Sequence, residues 1–93
     1  MGDRMDELRS HIDRIDDELV GLLNDRQALI LEIGELKKVA QLGPHDPDRE
    51  REMLKRLGAI SAGPLGEEEL TQIYGEILNV SREAQRRIRE EGE

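Results

Sequence analysis

Arg26 stands where an apolar residue belongs. From Met5 onward, apolar residues recur at gaps of three and four: Met5, Leu8, Ile12, Ile15, Leu19 and Leu22, then Leu29, Ile33, Leu36 and Ala40. The step between Leu22 and Leu29 falls on Arg26. A guanidinium on the packing seam of a helix is costly to bury unless an anion meets it. That anion is either a carboxylate of the protein or a bound ligand. Lys37 follows three helical turns later on nearly the same face, its Cα about 16 Å further along the axis. Ser81 and Gln85, spaced i, i+4, interrupt the apolar stripe between Ile77 and Ile88 in the same way. All four offer hydrogen-bond donors from faces that should be dry. Singly, each has a plainer reading: an ion pair for the two cations, a satisfied polar core pair for Ser81 and Gln85. Together they favour donors converging on a polyanion.

Arg9 differs from this group. It precedes Arg26 by about 25 Å of helix and is rotated from it by about 100°. One helix cannot bring both to one small ligand, so if Arg9 serves the site it must come from a partner chain. Its plainer reading is a solvated surface arginine. The segment Asp46-Pro47-Asp48-Arg49-Glu50 opens a helix, whose free N–H groups can grip a hydroxyl or carboxylate. Arg49 and Glu50 also read as ordinary surface charges. His11 and His45 have no metal-ligand spacing and read as surface residues, and no nucleotide-binding or zinc-protease fingerprint is present.

The elements that must position these residues are punctuated by Pro44, Pro47 and Pro64. The unbroken three-four rhythm predicts one helix over 3–42, about 60 Å long at 1.5 Å per residue. A compact domain of this size has a radius of gyration of about 12 Å. The helix overshoots any globule its own chain could build, so its seam requires another protomer. Gly34, inside this helix, costs roughly 1 kcal/mol against alanine; it marks either the close approach of a backbone or ligand, or simple tolerance. Asp46 reads as an N-cap with Pro47 at the first helical position, opening a second helix over 47–60. Gly63-Pro64-Leu65-Gly66 reads as a turn. Glu67, Glu68 and Glu69 suit the N-terminus of a third helix over 67–89, with Glu90 to Glu93 fraying. The expected fold is all-α, a single domain over 1–93, with three helices per protomer in an obligate oligomer, which the resemblance given below implies is an intertwined homodimeric bundle.

Composition narrows the function. Tyr74 is the only aromatic residue, so the core must be aliphatic, which suits helices better than a sheet. A formal net charge of -8 without a basic block argues against nucleic acid and anionic membrane surfaces. Local charge can still oppose that sign at a small anionic ligand. With no cysteine, thiolate catalysis, thiolate metal sites and disulfides are excluded. No apolar run approaches a membrane span and no signal-peptide pattern opens the chain. The expected location is cytoplasmic.

The chain resembles the all-helical, intertwined-dimer chorismate mutases, above all the mutase domains at the N-terminus of bifunctional mutase–prephenate dehydratases. Five stretches carry the resemblance, in order: Leu8-Arg9 with Ile12-Asp13-Arg14-Ile15-Asp16; Leu22-Leu23-Asn24-Asp25-Arg26; Ile33-Gly34-Glu35-Leu36-Lys37; Asp46-Pro47-Asp48-Arg49-Glu50-Arg51; and Ser81-Arg82-Glu83-Ala84-Gln85. Each is weak alone; the ordered set covers almost the whole chain. The resemblance implies an isomerase of aromatic amino acid biosynthesis that turns chorismate into prephenate without cofactor or metal. It implies that Arg26 and the partner chain's Arg9 bind the substrate carboxylates, with Ser81 assisting. Lys37 and Gln85 would donate to the ether oxygen, Lys37 also touching a carboxylate. Glu50 would hold the ring hydroxyl with help from the backbone near Asp46, and Arg49 would order the site's electrostatics. The resemblance assigns no role to Arg82; by its charge, beside the site on the third helix, it would add positive field. Two alternatives stand beside this: an isochorismate-pyruvate lyase of the same fold, and a non-catalytic helical dimer.

Overall fold

The computed structural model describes residues 2–91. Within them are three helices and no strand: α1 (Asp3–Val39), α2 (Pro47–Ile60) and α3 (Glu67–Glu90). Helix α3 packs against both others, whereas α1 and α2 do not pack on one another. The molecule is a rod, 60 × 27 × 15 Å, with a radius of gyration of 17.0 Å.

Helix α1 stops earlier than the apolar rhythm suggests. Gln41 takes a left-handed backbone with φ 58°. Its N–H bonds the Lys38 carbonyl, and the Leu42 N–H bonds the Lys37 carbonyl. This is a Schellman closure, usually made by glycine; here glutamine makes it, two residues before Gly43. Helix α2 opens on Asp46, whose carboxylate accepts the Arg49 N–H at 3.2 Å, with Pro47 in the first turn. At the start of α3, Glu69 reaches back to accept the Gly66 N–H at 2.9 Å. Helix α3 runs through Glu90; Gly92 and Glu93 of the expected frayed end lie outside the described residues.

The core of the chain is thin. Leu78 and Ile88 of α3 are its buried hydrophobic residues, beside buried Ser81, Gln85 and Gly34. A Cβ on Gly34 would stand 3.0 Å from Ile88 Cδ1 and 3.2 Å from Gln85 Cγ. The glycine therefore lets α3 lie close against α1. By contrast, the α1 seam from Met5 to Leu36 is open. Its nine large apolar residues are 44% to 68% exposed.

Candidate active site

The two cations on the α1 face meet neutral acceptors. Arg26 Nη1 donates to Ser81 Oγ at 2.6 Å, and Lys37 Nζ donates to Gln85 Oε1 at 3.1 Å. Neither has a carboxylate within ion-pairing distance among the described residues. Both side chains are half-buried, so their charge is paired with no protein anion.

Their partners are held in turn. Ser81 gives its own proton to the Ile77 carbonyl one turn back, at 2.9 Å. The hydroxyl thus serves Arg26 as an acceptor and orients the guanidinium. Gln85 Nε2 donates to the Ile30 carbonyl at 3.2 Å. With oxygen toward an ammonium and nitrogen toward a carbonyl, the amide has one sensible orientation. One amide N–H is spent on Ile30 and the other is left for a ligand. Arg26 and Lys37 likewise keep most of their donors. The geometry depends on Gly34, because a bulkier residue would push Gln85 away from the Ile30 carbonyl.

These four residues line one cleft, of about 180 Å³, between the three helices. Asp46, Arg49 and Glu50 line it from the start of α2, and Arg82 from α3. Four cationic side chains thus face two carboxylates, against the overall charge of -8. Glu50 Oε1 accepts from Arg82 Nη1 at 2.6 Å, and His45 Nε2, mostly exposed, stands 3.9 Å from the same oxygen. Outside the cleft, a hydrogen bond from Arg86 holds the Glu83 carboxyl below its ordinary range. Arg9 does not join the cleft. It is exposed on the N-terminal half of α1, about 25 Å of helix from Arg26.

Sequence reasoning gave Arg82 a diffuse field and missed its direct bond to Glu50. It also missed the Ile30 carbonyl as the anchor of Gln85. An arginine in a helix full of charges carries no distinguishing signal, and a backbone carbonyl carries none at all. Only Gly34 pointed there, as a place where something approaches closely.

A donor-lined cleft in which Arg26 and Lys37 meet no protein carboxylate is thus set among three helices of an all-α fold with an uncovered α1 seam. Residues 8–86 match the chorismate mutase type II family, and the chain belongs to that family. It is 37% identical over 91 residues to the bifunctional chorismate mutase/prephenate dehydratase of Aquifex aeolicus (strain VF5), covering 94% of this chain and 25% of that protein. Over 83 residues it is 35% identical to the protein of the same description from Neisseria gonorrhoeae, covering 85% and 22%. The chain therefore spans about a quarter of the length of these curated relatives. Among solved structures, chorismate mutase (form II) from Thermus thermophilus superposes with a TM-score of 0.89 at 36% identity, over 91% of this chain and 97% of that one. Chorismate mutase from Helicobacter pylori in complex with prephenate gives 0.86 at 35% identity, over 96% and 97%.

Proposed function

We propose that this chain converts chorismate to prephenate by a pericyclic [3,3] rearrangement in the cleft between α1, α2 and α3. The observation that carries this reading is that Arg26 and Lys37 lack protein anions and are held by neutral acceptors, leaving their charge for a ligand. A dianionic substrate supplies the missing counter-charge. The reaction moves no proton and needs no nucleophile. The enzyme selects the compact substrate conformer and holds it. It then stabilises the negative charge that develops on the ether oxygen as the C–O bond breaks.

The residues divide that work. Arg26, oriented by Ser81, takes one carboxylate. Lys37 and the free N–H of Gln85 face the ether oxygen, Lys37 also touching a carboxylate. Glu50 accepts the ring hydroxyl, assisted by the backbone at Asp46, and Arg49 adds positive charge at the mouth. A second copy of this chain covers the α1 seam and brings its Arg9 to the other carboxylate. The apolar exposure along α1 supports that dimer, since a patch so long and contiguous marks an interface. The relatives reported above, all described as chorismate mutases, favour neither the lyase nor the non-catalytic dimer.

The test is loss of chorismate's ultraviolet absorbance on adding the purified protein, with acid conversion of the product to phenylpyruvate. Rapid loss with phenylpyruvate appearing is the expected result. A folded helical protein that leaves chorismate intact would refute the reading.

A further inference from the structure

Among the described residues, Arg82–Glu50 is the one ion pair that joins two helices; the arginine–carboxylate pairs besides it lie within single helices. It is also the least exposed. Its side chains are 33% and 19% accessible, against 44% or more in the intrahelical pairs. Solvent screening is correspondingly weaker here than at the surface. The pair sits on the cleft wall, and the turn of α3 that presents Ser81 to Arg26 also presents Arg82 to Glu50.

An isolated carboxylate at this place would be a poor design. It would repel a dianion. We infer that Arg82 is a positioning residue: it holds Glu50 against the cleft wall as an acceptor for the substrate's ring hydroxyl and offsets its charge toward the dianion. The inference rests on the mutase reading above. Glu50 Oε1 takes the Arg82 N–H, while Oε2 has no donor among the described residues and is left for the hydroxyl. Arg82 thus acts through Glu50.

Steady-state kinetics on chorismate for Arg82→Ala and Arg82→Lys, each also in a Glu50→Gln background, test this, with helical melting followed in parallel. Arg82→Ala should raise KM about tenfold with little change in kcat, the pattern of lost ground-state and transition-state binding alike. Arg82→Lys should restore part of that loss, since it keeps the charge and one donor. In the Glu50→Gln background the Arg82→Ala effect should shrink to less than about twofold, because the two act as a unit. The same tenfold loss in both backgrounds would show that Arg82 works independently of Glu50 and overturn the inference. So would an unchanged KM in Arg82→Ala. A wild-type protein inert toward chorismate would instead bring down the mutase reading itself, and this inference with it.

Discussion

Arg26, Lys37, Glu50, Ser81 and Gln85 on the cleft wall each have part of their hydrogen-bonding capacity fixed by the protein and part left over. That division sets what the removal of each does. Lys37 and Gln85 keep donors aimed into the cleft, and an oxyanion donor is worth about a hundred- to thousand-fold in rate. Lys37→Ala and Gln85→Ala should each lower kcat by that order while KM moves less, as initial-rate kinetics would show. Arg26 is a half-buried cation without a carboxylate. Arg26→Ala should therefore abolish most turnover while leaving the melting temperature unchanged or higher; a large loss of stability would mean the arginine serves the fold. Gln85 carries no titratable proton, and the charges around it are those of Arg26, Lys37, Arg49, Arg82 and the carboxylates. The rate of chorismate conversion should stay level between mildly acidic and neutral pH. A steep decline across that window would point to an essential protonated group in place of the amide.

At the scale of the helix, Gly34 couples fold to chemistry. Its missing Cβ lets α3 approach α1 until Gln85 reaches the Ile30 carbonyl. Gly34→Ala would gain about 1 kcal/mol of helix propensity but overpack Ile88 and Gln85, at a cost of about 1–3 kcal/mol. A melting temperature lower by a few degrees is expected, with a larger fall in kcat as Gln85 is displaced. The glycine was visible in the sequence as an oddity; what approached it was not, because that depends on the register of α3 against α1. The helix starts were legible for a local reason: Asp46 and Pro47 act within one turn. The end of α1 was not, since Gln41 adopts the left-handed conformation that glycine usually takes, while the apolar rhythm suggested a helix as far as residue 42. The interrupting residues Arg26, Lys37, Ser81 and Gln85 were conspicuous against apolar faces. Arg82 was not, because it interrupts nothing.

The whole molecule is longer than its own chain can cover. A radius of gyration of 17.0 Å, against about 12 Å for a compact domain of this length, comes from a 37-residue helix whose seam stays open. Leu78 and Ile88 are the buried hydrophobic residues among those described, and the open α1 seam is left to the second copy proposed above. Sedimentation equilibrium should therefore give twice the chain mass of 10.6 kDa, with no folded monomer as the protein is diluted. Arg9→Ala should leave that dimer intact and weaken substrate binding strongly, seen as a raised KM.

The most direct test of the composite site mixes two impaired variants at a chorismate concentration where each alone turns over little. Arg9→Ala and Arg26→Ala homodimers, unfolded together and refolded at equal amounts, form hybrids in which one of the two symmetry-related sites is complete. Chorismate turnover should return to about a quarter of the wild-type rate, because about half the dimers are hybrids with one working site each. A mixture as inactive as its parents, with hybrid dimers present by mass, would contradict a cleft that binds chorismate between one chain's Arg26 and its partner's Arg9.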